Sequence, residues 1–323
     1  MSDFQYKAFV GIDVSKEFFD VAEVSAAKSK RFPNSSEGFA AFVQEQGATL
    51  AKALVVLETT GGYERGLLHW LCGRDYAVHR ADTRKVKQFV RSLGVHGKTD
   101  ALDAKALAHY AQERHARLKR FSLSTAIHDE LRMLGSRRND LVAMLVQEKN
   151  RSASPGYADI LKEHVLPVIK ALQKQLLLVD QAIDALICQD KDLCQKRQVM
   201  QSVAGVGAKT ANSLLINMPE LGTMTRRQVA SLAGLAPHPQ ESGTFKGRRS
   251  VKGGRHAVRV ALYMAAMSAR NTRNSRERAF YEKLVANGKR PIIALTALMR
   301  KLIVILNAKL RDINVITVNY AAA

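Results

Sequence analysis

Short apolar runs of the kind that form strands fill the first third of the chain, and helical spacing takes over afterwards. Two β-rich runs, Ala8–Ile12 and Phe18–Val24, flank Asp13-Val-Ser-Lys and predict a hairpin with a polar tip. A third short strand is expected around Arg31–Phe32, and Asn34-Ser-Ser leads into a helix-like stretch reaching about Gln46. Ala53–Leu57 is continuously apolar, which predicts a buried strand ending at Glu58. A helix over Glu64–Cys72, a strand near Ala77–His79, and helices after Thr83 and Thr99 complete the pattern. The expected order over residues 1–125 is three strands, helix, strand, helix, strand, helix: an α/β domain.

From residue 126 the spacing is helical. Val165, Ile169, Leu172, Leu176, Val179, Ile183 and Leu186 recur in alternating steps of four and three, the seam of a coiled coil. Ser152–Tyr157, with Pro155 and Gly156, divides this helical linker, residues 126–196, into two arms. Such a pair reads equally as an internal hairpin or as a protruding dimerisation arm. Residues 197–323 are expected to form a mainly α-helical domain. In it, Gln201-Ser-Val-Ala-Gly-Val-Gly-Ala-Lys-Thr-Ala resembles a helix-hairpin-helix. There Gly205, Gly207 and Lys209 would offer backbone N–H groups and a cation to a phosphate. A tight turn without ligand is the plainer reading.

Charge narrows the partner. The chain has 50 Lys+Arg against 29 Asp+Glu among 323 residues, a net +21. An excess of this size is self-repelling and suits a polyanion. The apolar stretch Ile292–Leu306 is broken by Arg300 and Lys301, and the N-terminus lacks the pattern of a signal peptide. A cytoplasmic, nucleoid-associated protein with no membrane partner is expected. Cys72, Cys188 and Cys194 have no metal-ligand spacing and read as reduced.

Four carboxylates draw attention. Asp13 and Glu58 sit at strand ends, and Asp100 and Asp103 are three apart at a helix start, on one face. Clustered carboxylates repel unless a cation neutralises them, and hard oxygen ligands select Mg²⁺, with Mn²⁺ as an alternative. Singly, Asp13 also fits a turn cap, Asp100 a helix N-terminus and Glu58 an exposed strand end. Together with the element order they match the layout of a ribonuclease-H-like fold of the RuvC type.

The second candidate site lies in a Pro- and Gly-marked loop from Pro237 to Gly254. Between Gly243 and Arg276 there are nine Lys/Arg and no Asp or Glu. Ser242 opens this stretch, with Lys246, Arg248, Arg249, Lys252 and Arg255 after it. Such cations hold a phosphate in line and stabilise its developing charge. Spacing alone leaves Ser242 open to being a spacer in a phosphate-binding loop.

Six motifs in order carry a resemblance. They are Gly11-Ile-Asp-Val-Ser-Lys, Leu57-Glu-Thr-Thr-Gly-Gly-Tyr, Lys98-Thr-Asp-Ala-Leu-Asp-Ala-Lys, Ala204-Gly-Val-Gly-Ala-Lys-Thr-Ala, Leu232-Ala-Gly-Leu-Ala-Pro and Ser242-Gly-Thr-Phe-Lys-Gly-Arg-Arg. Together they resemble the transposases of the insertion-sequence 110 family, the Asp-Glu-Asp-Asp transposases that include Piv-type invertases. The resemblance implies a RuvC-like domain, a helical linker and a C-terminal transposase domain. It implies that Asp13, Glu58, Asp100 and Asp103 hold Mg²⁺ and that Ser242 forms a phosphoserine link to cleaved DNA. It also implies donor and target DNA recognised through a structured guide (bridge) RNA, and a homo-oligomer, dimer or tetramer. Two rival readings stand beside it: a metal-dependent Holliday-junction nuclease that uses water and makes Ser242 irrelevant, and a non-catalytic nucleic-acid scaffold that uses the basic loop and the helix-hairpin-helix.

Overall fold

The structure, a computed structural model, describes residues 6–26, 28–92, 100–154, 159–239, 241–242, 244–247 and 249–321. They fall into two compact units, Met1–Ser124 and Thr125–Ala323.

In the first unit, strands β1 (Ala8–Val14), β2 (Phe18–Glu23) and β3 (Lys30–Pro33) precede helix α1 (Ser36–Leu50). Then follow β4 (Ala53–Glu58), α2 (Arg65–Cys72), β5 (Val78–Ala81), α3 (Thr83–Ser92) and α4 (Asp100–Arg114). This is the order the sequence pattern predicts. The strands form one mixed sheet ordered β3-β2-β1-β4-β5, consistent with a ribonuclease-H-like fold. β1, β2 and β3 pair antiparallel, while β4 and β5 join parallel.

Strand alternation sorts the side chains between two layers. Val10, Ile12, Val14, Val55 and Leu57 face the core shared with Phe42, Leu50, Leu67 and Leu71 of α1 and α2. Phe9, Leu54 and Val56 face the other core, with Val86 and Phe89 of α3 and Leu107, Tyr110 and Ala111 of α4. Ser35 caps α1 by accepting the Gly38 N–H.

The second unit is mainly helical: α5 (Ala126–Ser152), α6 (Asp159–Gln189), α7 (Lys191–Gln201), α8 (Ala208–Asn217) and α9 (Arg226–Leu232). After four two-residue strands come α10 (His256–Asn271), α11 (Arg276–Ala286) and α12 (Pro291–Ala321). α5 and α6 pack along one another, tied by Arg138 Nε to Asp180 at 2.5 Å. Every residue of the proposed seam is at least partly buried, Ile183 almost completely. Leu161, Leu166, Val168, Leu177 and Leu178 of α6 remain exposed. Pro155 and Gly156 lie outside the described residues.

Helix α12 is long and apolar enough to cross a membrane by composition. Leu298, Leu302, Ile303 and Leu306 are instead core residues packed with Leu214, Val229, Val258 and Leu262. The buried Asn307 accepts the Gly222 N–H at 2.9 Å and donates to the Met224 carbonyl at 2.7 Å. A polar side chain satisfied in this way belongs to a packed helix, not to a lipid-facing one.

Candidate functional site

The carboxylates come from three elements of the first unit. β1 and β4 are parallel, with Gly11 beside Val56 and Ile12 beside Leu57. The next step along both strands sets Asp13 next to Glu58. Since Phe9, Leu54 and Val56 face α3 and α4, alternation turns Asp13 and Glu58 to the same side.

α4 lies unusually close to that side. A Cβ on Gly11 would come within 2.1 Å of the Ala104 carbonyl oxygen and 2.3 Å of the Ala108 backbone nitrogen. Only glycine permits this approach. It seats the turn that carries Asp103 on the face bearing Asp13. Asp13, Glu58 and Asp103 are all partly buried. Asp100 starts α4, and its side chain lies outside the described residues. Among the described residues no three His, Cys, Asp or Glu side chains form a metal-binding group.

The loop after Glu58 is held by a residue the sequence reading did not single out. Glu64 is fully buried. Its Oε1 accepts Arg80 Nε at 3.1 Å and a second guanidinium N–H at 2.5 Å. Its Oε2 accepts the N–H groups of Thr60 at 3.1 Å and Gly62 at 3.0 Å. Burial pushes the Glu64 pKa up, but the hydrogen bonds from Arg80 and the backbone outweigh it, so the pKa lies below the ordinary value. Gly61 and Gly62 both have positive φ, 64° and 105°, so the loop bends where side chains are disfavoured. Asn34 Nδ2 donates to the carbonyls of Ser15 (2.8 Å) and Tyr63 (3.2 Å). It thereby links the segments that follow Asp13 and Glu58. In sequence Glu64 is only an acidic residue just past a Gly-Gly turn, indistinguishable from an exposed one, and its partner Arg80 is distant.

In the second unit the expected irregular loop is a layered hairpin. β6 (Pro237–His238) pairs with β9 (Ser250–Val251), and β7 (Glu241–Ser242) with β8 (Phe245–Lys246). Ladders of two residues are too short to show alternation, so the sequence pattern there predicts a loop. The base is clamped by backbone contact. A Cβ on Gly254 would meet the Gly234 nitrogen at 2.1 Å, and Arg255 N–H donates to the Leu232 carbonyl at 2.9 Å. Both glycines have positive φ, 69° and 66°.

Ser242 lies exposed on β7 opposite Phe245. Among the described residues no side chain hydrogen-bonds its hydroxyl. Its neighbour Glu241 is exposed and stands 3.8 Å from Arg249. Lys252 is exposed. Lys246 lies on β8 with its side chain outside the described residues, as does all of Arg248.

Arg255 is placed differently from the other cations. Its guanidinium meets both oxygens of Glu220, at 2.7 and 2.6 Å, and donates to the Asn217 carbonyl at 2.8 Å. Burial raises the Glu220 pKa, and the Arg255 hydrogen bonds bring it below the ordinary value. Arg255 therefore ties the hairpin base to the segment after α8, with its charge balanced.

α7 and α8 flank the turn that contains Gly205 and Gly207. Gly205 packs against α10, where a Cβ would meet the Ala265 carbonyl oxygen at 2.4 Å. Gly207 is the open N-cap of α8, without a side-chain cap. Lys209 is largely exposed, 3.2 Å from Asp180.

A transposase family model of the DEDD IS110 type matches residues 10–154, and the model described as the transposase IS116/IS110/IS902 family matches residues 197–282. The chain is 26% identical over 314 residues to the pilin gene-inverting proteins of Moraxella lacunata and Moraxella bovis, covering 95% of this chain and 96% of each relative. It is also 26% identical over 305 residues to an uncharacterized 42 kDa protein of insertion element IS900 from Mycobacterium paratuberculosis, covering 71% of this chain and 75% of that one.

Proposed function

Because the chain belongs to the IS110 family of transposases, we propose that it cuts and rejoins DNA with Asp13, Glu58, Asp100 and Asp103 of the first unit and Ser242 of the second. The observation that carries the first part is the β1–β4 register, with Asp13 beside Glu58 on the face that α4 covers. An all-carboxylate donor set is the chemistry Mg²⁺ takes, and Mn²⁺ can replace it. A divalent ion held there supplies charge stabilisation to phosphate oxygens and favours deprotonation of an attacking hydroxyl.

Ser242 acts as the nucleophile. Its Oγ forms a bond to phosphorus as the phosphorus–oxygen bond of the DNA strand breaks, and the seryl proton passes to a base. The departing DNA oxygen takes up a proton. Attack by a hydroxyl of the exchanged strand then reforms the phosphodiester and releases the serine, so bond energy is conserved. The exposed hydroxyl on a hairpin clamped at its base, with Arg249 3.8 Å from the neighbouring Glu241, supports this role. In sequence, Lys246 and Arg248 add two cations just after Ser242, and Gly205, Gly207 and Lys209 would form a second phosphate contact.

Donor and target DNA are recognised through a structured RNA of the same element. The family resemblance and the net charge of +21 support that reading. The exposed apolar residues of α6 support assembly into a dimer or tetramer through the α5–α6 arm.

The deciding experiment traps a protein–DNA adduct on labelled DNA in denaturing gels. Ser242→Ala is expected to abolish adduct and strand exchange. Asp13→Asn and Asp103→Asn are expected to abolish Mg²⁺-dependent cleavage while DNA binding persists. A Ser242→Ala protein that rejoins strands normally overturns the serine step and leaves a water-using nuclease. Purification without a discrete bound RNA, with full activity on bare DNA, overturns RNA guidance.

A further inference from the structure

A basic groove in the first unit stands apart from the carboxylates. It lies between α3 and the C-terminal end of α4, has a volume of about 360 Å³, and is lined by Lys85, Gln88, Phe89, Tyr110, Arg114 and Arg117, among others. No acidic residue lines it. Among the described residues none of its three cations is in an ion pair.

Its construction is specific. α3 places Val86 and Phe89 in the core and presents Arg84, Lys85, Lys87 and Arg91 outward, with no acid in the helix. Phe89 and Tyr110 stack edge to face at 5.3 Å as the floor, and the Arg114 guanidinium lies 5.9 Å from the Phe89 ring centre. Burial pushes the Tyr110 phenol pKa up; Arg114 opposes this and Asp82 adds to it. The floor therefore stays neutral and the walls cationic. That combination favours a phosphate backbone over a small apolar ligand.

Helix α4 connects this groove to the carboxylate face. Asp103, Leu107, Tyr110 and Arg114 follow steps of four, three and four, so they occupy one stripe of the helix. At 1.5 Å per residue, Arg114 lies about 16 Å along the axis from Asp103. We infer that the groove grips the sugar–phosphate backbone of the DNA flanking the cleaved position, and that α4 fixes its distance from the carboxylates at roughly five base pairs of duplex. The grip on DNA rests on the DNA-acting reading of the chain, the spacing rests on the carboxylates sitting at the cut, and neither requires the serine step.

The test measures binding rather than chemistry. Fluorescence anisotropy with a labelled DNA duplex, and with an RNA of the same sequence, is recorded in EDTA across a salt series. Replacing Lys85, Arg114 and Arg117 together by Gln is expected to weaken DNA binding about tenfold or more. The slope of log K against log salt should fall by about 0.9 for each lost phosphate contact. Lys at positions 114 and 117 should restore most of both, which a merely structural defect would not show. Ethylation interference should find the sensitive phosphates about five base pairs from the cut. Unchanged DNA affinity and slope overturn the inference, as does a loss confined to RNA. Failure of cleavage with this binding intact overturns the catalytic reading instead.

Discussion

Glu64 and Arg80 form a buried ion pair in which one carboxylate oxygen takes the guanidinium and the other takes two backbone N–H groups of the loop following Glu58. The pair joins the loop after β4 to β5. Removing the acid strands Arg80, which is mostly buried, and frees Thr60 and Gly62. Glu64→Ala is expected to cost about 3–5 kcal/mol and Glu64→Gln about 1–3 kcal/mol in urea unfolding. Cleavage by any folded fraction of Glu64→Gln should also fall, because the loop that directly follows Glu58 would lose two of its anchoring hydrogen bonds.

The same pair sets a pH dependence. The folded pKa of Glu64 lies below its unfolded value, so its contribution is complete above the unfolded value of 4.5 and is lost as pH falls through the folded one. The urea midpoints of wild type and Glu64→Gln should therefore differ at neutral pH and converge in acid below that range. A gap that stays constant down to the acid limit contradicts this assignment.

Gly11 gives a prediction from space alone. Ala at this position collides with backbone atoms of α4 at 2.1 and 2.3 Å, so no rotamer change relieves it. α4 must lift off β1 and take Asp103 away from Asp13. Gly11→Ala is expected to destabilise by at least about 3 kcal/mol, the upper end of overpacking costs. At temperatures where it remains folded, metal-dependent cleavage should be lost more fully than DNA binding.

The first unit was legible because β1 and β4 open on five consecutive apolar or glycine residues and α1 starts at a serine cap. Asp13, Glu58 and Asp103 stood out because each sits at a strand end or helix start, where a side chain can serve a site without breaking a core. Glu64, Arg80 and Asn34 were not legible. Their roles depend on tertiary neighbours, and a buried Glu looks the same in sequence as an exposed one. The hairpin around Ser242 was missed for a different reason. Its ladders are held by the Gly234–Gly254 approach rather than by an apolar pattern. Arg255 looked like one more basic-loop cation until Glu220, far away in sequence, accounted for it.

Arg249 and Arg255 should consequently respond in opposite ways to the same change. Arg255 is balanced by Glu220 and braces the hairpin, so Arg255→Gln removes a bidentate pair that is partly exposed. The expected cost is about 1 kcal/mol of stability, with a matching loss for Glu220→Gln, since partly exposed pairs contribute modestly. Arg249 is largely exposed and only 3.8 Å from Glu241, too long for a good hydrogen bond. Arg249→Gln should leave unfolding within about 0.5 kcal/mol of wild type while lowering DNA affinity and the salt slope by about one contact. Denaturation and anisotropy on the two variants separate the roles. If Arg255→Gln changes the salt slope as much as Arg249→Gln and leaves stability intact, then Arg255 exchanges Glu220 for a phosphate when DNA binds.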